Sequence, residues 1–181
     1  MTSQTNTLGQ PIGAPLENWV AAALPPRKPI QGTTCRLEPL DRHRHAKDLY
    51  DAFSADREGR VWTYMAVGPF ASFEDFDQWM ETASKSTDPL FFAIIDEKTN
   101  LAVGYASYLR VDPANGVIEV GNITFSPQLQ KTDVATEAMY LMMKQVLSAW
   151  GYRRYEWKCD SLNGPSKAAA LRYGFTFEGL F

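Results

Sequence analysis

The chain has 181 residues, a net charge of −3, 45% hydrophobic residues and 22% charged residues. That length suits one domain, and that composition suits an ordinary globular core. The acidic balance gives no electrostatic basis for binding nucleic acid or an anionic membrane, and no apolar run approaches the roughly eighteen residues that span a bilayer.

Residues 1–32 read as an extended arm, punctuated by Pro11, Pro15, Pro25, Pro26 and Pro29. Leu16–Leu24 is expected to form a short helical turn packed on the domain. The first residues lack the basic start and apolar core of a signal peptide. Cys35 and Cys159 have no metal-site spacing and read as packing residues, so a reduced, cytoplasmic setting is expected. The domain itself is expected over residues 33–181.

Thr34–Leu40 reads as a first strand. Asp41 is a good N-cap for a helix running to Phe53, with Ala46, Leu49, Tyr50 and Phe53 on one face. His43 and His45, two apart on that helix, point different ways and are expected in solvent. Gly59–Phe70 is loop-like but aromatic. Trp62 and Tyr64 there either pack the loop or line a pocket. Ser72-Phe73-Glu74-Asp75 resembles a capping box and opens a second helix, with Phe73, Phe76, Met80 and Ala83 facing inward. Leu90–Ile95 and Leu101–Leu109, joined by a polar turn, predict an antiparallel hairpin.

Pro113-Ala114-Asn115-Gly116 is a turn signal, and Val117–Phe125 after it is a strand rich in β-branched residues. A polar loop, Ser126–Asp133, leads into a long helix, Val134–Trp150. Val134, Ala138, Leu141, Met142, Val146 and Trp150 repeat at three- and four-residue spacing, and Met139, Met143 and Leu147 make most of its circumference apolar, so it is expected to be largely covered. The first turn of such a helix offers unpaired backbone N–H groups and a positive dipole end, a geometry that holds phosphate. Thr132 or Asp133 serves as the N-cap. An ordinary capped strand–helix connection has the same pattern. Beyond it, Gly151 suits the end of the helix. Arg154, Glu156 and Lys158 alternate with Tyr155, Trp157 and Cys159 as a half-buried strand, with Cys159 in the core-facing phase. It follows a strand and a crossover helix, so it should run parallel to Val117–Phe125. Asn163–Arg172 is a short helix and Phe175–Glu178 a last strand.

Two blocks of this sequence resemble the GNAT superfamily of N-acetyltransferases. Gln130-Lys131-Thr132-Asp133-Val134-Ala135, followed by Thr136-Glu137-Ala138, is similar to its coenzyme-A loop. Gly151–Gly179 resembles the strand, Asn-x-x-Ser helix and closing GF-x-x-EG of the RimJ/RimL-like branch. The resemblance covers roughly Thr34 to Phe181. It implies a mixed α/β fold, mostly antiparallel with one central parallel crossover, flanked by helices. It also implies that the two parallel strands splay and hold acetyl-CoA as co-substrate, with no metal. Coenzyme contacts then fall on Ile123, Thr124, Phe125 and on Gln130, Lys131, Thr132, Asp133, Val134, Ala135 and Thr136, with Asn163 and Ser166 along the pantetheine arm. Asp133 stands where the family has a glycine, and places a negative charge beside an anionic ligand.

Acyl transfer from a thioester to an amine needs a proton acceptor, an oxyanion donor and an acid for the thiolate. Glu119, on the strand leading to the loop, is the general-base candidate, and an exposed cross-strand pair is the other reading of it; Gly121 can mark a bulge that changes its facing. A backbone N–H near Ile123–Phe125 is the oxyanion donor. Ser166 is the candidate acid, because the family's tyrosine position holds Ala170 and Tyr173 is out of phase with it. Trp62 and Tyr64 are the substrate-lining candidates. Cys159 lacks an activating partner and is a poor nucleophile.

Two functions stay open at this level. One is an N-acetyltransferase moving an acetyl group from acetyl-CoA to a primary amine, a protein N-terminus or a small amine, by direct attack in a ternary complex. The other is a non-catalytic domain binding coenzyme A or a protein partner. The resembling family continues past its last matching strand, so Phe175–Phe181 is expected to leave an open edge with Phe177 or Phe181 exposed. A second copy making a homodimer, or another partner, would fill it, or the chain is a shortened form.

Overall fold

A computed structural model describes residues 4–180. The arm contains a two-residue ladder between β1 (Gln4–Thr5) and β2 (Pro11–Ile12). It then crosses the domain as extended chain and enters the main sheet as β3 (Ile30–Gln31), paired with β4 (Cys35–Pro39). The helical turn expected at Leu16–Leu24 is absent, with a turn at 17–18 only. Ala22 and Ala23 instead donate their N–H groups to the carbonyls of Pro113 and Trp150. Those bonds hold the arm extended, and Trp19 lies against Gly116 and donates its indole N–H to the Ala114 carbonyl.

Helices α1 (Arg42–Ser54) and α2 (Phe73–Ala83) start where the capping residues predict, with the Asp41 and Ser72 side chains accepting from Arg44 N and Asp75 N. His43 is exposed as expected, but His45 is buried. Its Nδ1 accepts from Asp41 N at 3.1 Å and its Nε2 meets Glu38 Oε2 at 3.2 Å. The i, i+4 spacing folds the ring back over the helix start, where both ring nitrogens find partners out of water.

Strands β5 (Leu90–Asp96), β6 (Leu101–Asp112) and β7 (Val117–Phe125) continue the sheet, and β8 (Arg154–Trp157) ends it, in the order β3-β4-β5-β6-β7-β8. Every pairing is antiparallel except β7 with β8. The β5 run LFFAIID is apolar on both phases because helices cover both faces. Phe91, Ala93 and Ile95 pack with α1 and α2, while Phe92 and Ile94 pack with α3 (Asp133–Lys144). Helix α3 passes into a wider π turn, Gln145–Ala149, which sets Trp150 edge-on to Tyr108.

Helix α4 (Gly164–Arg172) has no fully buried residue and rests on the sheet edge through Trp157 and its neighbours. Phe175–Glu178, expected as a strand, forms no ladder. Phe175 donates its N–H back to Ala170 and stacks on Tyr155 and Trp157, so its backbone is turned away from β8. Cys159, expected on the core-facing phase, is exposed. Parallel pairing stops at Val120 and Trp157, and beyond that point nothing enforces the two-residue alternation. Phe177 is exposed as expected, and Phe181 lies outside the described residues.

Candidate active site

The loop between β7 and α3 is built for close approach. Ser126 N donates to Val103 O, and Leu129 and Gln130 both donate their N–H groups to Ser126 O. Leu129 is driven into the sheet, 1% exposed, over Gly104. A Cβ at Gly104 would meet Leu129 Cδ2 at 2.6 Å and Thr124 O at 2.8 Å, so only glycine lets the loop seat there. Lys131 then adopts a left-handed φ of 62°. Thr132 is the N-cap, its Oγ1 accepting from Ala135 N at 3.1 Å and donating to Leu129 O at 2.7 Å. The N–H groups of Lys131, Thr132, Asp133 and Val134 have no acceptor among the described residues. Four such donors in sequence at the positive end of a helix fit a pyrophosphate. Asp133 is exposed in that first turn, and Gln130 donates from Nε2 to Phe125 O at 3.1 Å, which fixes the loop's entry.

The sheet opens next to this loop. Strands β7 and β8 pair from Val117↔Arg154 to Val120↔Trp157 and then part, so Gly121–Phe125 has no partner on the β8 side. A bulge coincides with the opening. The β6–β7 register runs Tyr105↔Thr124 and then Ser107↔Gly121, leaving one extra residue on β7. Asn122 occupies it with φ 49° and donates from Nδ2 to Ser107 Oγ at 2.9 Å. Gly121 therefore does mark a bulge, but one that begins after Glu119 and leaves its facing unchanged. Ile123 and Phe125 pack toward α3, and Thr124 faces the other side, where its Oγ1 lies 3.8 Å from Met65 Sδ.

Glu119 is 3% exposed. Its Oε2 accepts from Arg110 Nη1 at 2.6 Å and from Lys158 Nζ at 2.6 Å. It lies directly opposite Glu156 in the parallel register, and Lys158 also contacts Glu156, bridging two like charges. Burial pulls the Lys158 ammonium down, but the Glu119 and Glu156 carboxylates outweigh it and hold it above the ordinary lysine range. Arg154 extends the chain of pairs from Glu156 to Glu178. Glu119 is thus neither a lone base nor an exposed cross-strand partner, but the buried centre of an ion-pair network beside the opening.

Across the opening, Asn163 caps α4 by accepting from Ser166 N at 3.1 Å, and Ser166 Oγ accepts from Trp157 Nε1 at 3.0 Å. Tyr64 donates its hydroxyl to Leu162 O at 3.2 Å, which brings the Gly59–Phe70 loop to the rim of the opening. Trp62 is instead enclosed against Phe53 and Phe70. It lines a cavity of about 270 Å³ at the end of α1 that shares no residue with β7, β8, α3 or α4. Ala170 is half-buried on α4, and Tyr173 stacks over Trp157. Sequence reading missed Arg110, Asn122, Lys158 and Met65. Lys158 was visible as a cation two residues beyond Glu156, but only the parallel register sets Glu156 against Glu119 and so calls for a cation between them.

A mixed sheet that parts between two parallel strands, beside a helix N-terminus whose first N–H groups are free, has the geometry of a site that holds an anionic ligand in the gap. A family profile described as acetyltransferase (GNAT) domain matches residues 35–176. A GCN5-related N-acetyltransferase from Brucella melitensis is similar at 44% identity and a TM-score of 0.89, over 92% of this chain and 75% of that one. A probable acetyltransferase of the GNAT family from Chromobacterium violaceum is similar at 36% identity and a TM-score of 0.85, over 93% of this chain and 84% of that one. The microcin C7 self-immunity acetyltransferase MccE, solved with acetyl-CoA and AMP, shares the fold at 22% identity and a TM-score of 0.70, over 82% of each chain. No curated protein matches the chain. The chain belongs to the GNAT family and is an acetyltransferase, with the acyl-CoA-dependent N-acetyl transfer of that family. Among the described residues no helix is long and apolar enough to cross a membrane.

Proposed function

We propose that the protein moves an acetyl group from acetyl-CoA to a primary amine, a protein N-terminus or a small amine, by direct attack in a ternary complex. The observation that carries this reading is the run of acceptor-free N–H groups at Lys131–Val134 beside the gap between β7 and β8. The pyrophosphate binds those N–H groups, with Gln130, Ala135 and Thr136 shaping the loop. The pantetheine arm lies along Ile123–Phe125 on one side and Asn163 and Ser166 on the other. Tyr64 lines the acceptor entrance.

In the reaction the amine nitrogen forms a bond to the thioester carbon and the carbon–sulfur bond breaks. A backbone N–H near Ile123–Phe125 receives the charge on the carbonyl oxygen. The amine proton passes to Glu119. At about 3.3 Å per strand residue, Glu119 lies roughly 10 Å along β7 from Asn122, so a chain of ordered waters carries the proton. The thiolate takes a proton through the Ser166 hydroxyl, which receives one from solvent in the same step and stays neutral. Because the Ser166 oxygen accepts from the Trp157 indole, its own hydrogen is left to donate.

The Asn163-x-x-Ser166 cap and the Gly174–Gly179 block support the RimJ/RimL-like branch. A cytoplasmic setting accords with the free thiols of Cys35 and Cys159. A second copy in a homodimer would meet β8, the last strand of the sheet, and light scattering measures that assembly. The function is tested by calorimetric titration with acetyl-CoA, followed by thiol release over a panel of amines and peptides. Saturable binding with thiol release on a primary amine is expected. No acetyl-CoA binding at millimolar concentration overturns it.

A further inference from the structure

We propose that Arg110 selects the acceptor, by receiving a carboxylate or phosphate that the amine substrate carries two to three residue lengths from its amino group. This rests on the function proposed above. The register of β6 against β7 runs Leu109↔Glu119 and then Asp112↔Val117, so β6 carries one extra residue at Arg110–Val111. Arg110 has a φ of 48°. A left-handed, non-glycine backbone persists only where its surroundings enforce it, and bulges of this kind re-aim side chains beside active sites. Asp88 does the enforcing. Its Oδ1 accepts from Arg110 N at 2.8 Å and its Oδ2 from Val111 N at 3.1 Å.

The consequence is a guanidinium turned out over β7. Arg110 Nη1 donates to Glu119 Oε2 at 2.6 Å, yet the Arg110 side chain is 64% exposed. Its Nε and Nη2 have no acceptor among the described residues. Inward along the network, Glu119 and Glu156 each have two cationic partners. Arg110 is the terminus, with one carboxylate contact and a free pair of donors. That free edge has the planar fork that binds carboxylate and phosphate in two-point fashion. Its place along β7, roughly 10 Å below the transfer point, sets the anion about two to three residue lengths from the amine. Short acidic peptides and short phosphopeptides have that reach.

The test uses the full chain with acetyl-CoA and matched acceptors. Glycylglycine against glycylglycine amide probes a carboxylate. Glycyl-phosphoserine amide against glycylserine amide probes a phosphate. In the wild type the anionic member of one pair is expected to have a kcat/KM at least about tenfold above its neutral partner, a size set by a charge-assisted contact. The pair that shows it names the anion. Arg110→Gln should bring that ratio toward one, whatever happens to the neutral acceptor, and Arg110→Lys should restore part of it. Equal rates within both pairs, or a ratio that Arg110→Gln leaves intact, overturns the proposal. If none of the four amines is acetylated, calorimetric binding of the same compounds to the coenzyme complex decides. Preference for the anionic member, lost in Arg110→Gln, upholds it, and no preference overturns it. Failure of acetyl-CoA itself to bind marks the separate failure of the function.

Discussion

Replacing Glu137 with glutamine should detach the start of the domain from the coenzyme helix. Glu137 lies in the second turn of α3 and reaches across to the chain entering β4. Its carboxylate accepts from Thr33 N at 2.8 Å, Thr34 N at 2.6 Å, Thr34 Oγ1 at 2.6 Å and Cys35 N at 3.1 Å. Three consecutive backbone N–H groups around one anion form a nest. Burial pushes the carboxyl up, but the Thr34 hydroxyl and the three N–H groups outweigh it and hold it at about 2, against a usual 4.5. At 1.36 kcal/mol per unit that difference is worth about 3 kcal/mol, and partial solvent screening lowers it to about 2 kcal/mol. The folded-state value is the depressed one, so the stabilisation is present above pH 4.5 and is lost as pH falls toward about 2. Glu137→Gln turns an amide donor toward donors and forfeits the charge. In thermal unfolding by circular dichroism it should lower Tm at pH 7 by about 4–8 °C, at roughly 2–4 °C per kcal/mol for a chain of this size. The gap to wild type should shrink steadily between pH 4.5 and pH 3. An unchanged Tm at pH 7, or a gap that does not depend on pH, would refute the anionic nest.

Three further outcomes follow from the same geometry. Asp133→Gly should tighten acetyl-CoA about three- to tenfold in calorimetry at low salt, with a smaller gain at high salt, because it removes an exposed charge beside the phosphates; unchanged affinity would mean the carboxylate points away. Glu119→Gln should cut kcat by roughly a hundredfold while coenzyme affinity stays near wild type, and normal turnover from pH 6 to 9 would assign Glu119 to structure alone. Gly104→Ala should lower stability by about 1–3 kcal/mol in urea unfolding, because its Cβ meets the Thr124 carbonyl and Leu129; it should also weaken coenzyme binding by lifting the loop, and a neutral effect on both would show that Leu129 moves aside freely.

The elements that sequence pattern located well are those whose instructions are local. The caps at Asp41, Ser72, Thr132 and Asn163 all fall at the helix starts that their side-chain chemistry requires. The hairpin of β5 and β6, and the strand–loop–helix that leads into α3, follow from periodicity and turn residues in the same way. Where sequence reading went astray, a partner distant in the chain decided. Leu16–Leu24 lies extended because Pro113 and Trp150 supply acceptors. His45 is buried because Glu38 on the neighbouring strand meets it. Phe175–Glu178 forms no strand because its aromatic ring stacks on Tyr155 and Trp157.

The site divides along the same line. A polar loop before an apolar helix, with Thr132 to cap it, is enough to specify free N–H groups at Lys131–Val134, since a helix start leaves them unpaired whatever surrounds it. The network around Glu119 is not local. It exists because one crossover sets Glu119 against Glu156, two bulges turn Asn122 and Arg110 into left-handed backbone, and Lys158 falls where β8 leaves the sheet. Register is a property of strand pairs rather than of strands. The loop was therefore legible in the chain itself, while the charge that surrounds the proposed base was decided only when β6, β7 and β8 came together.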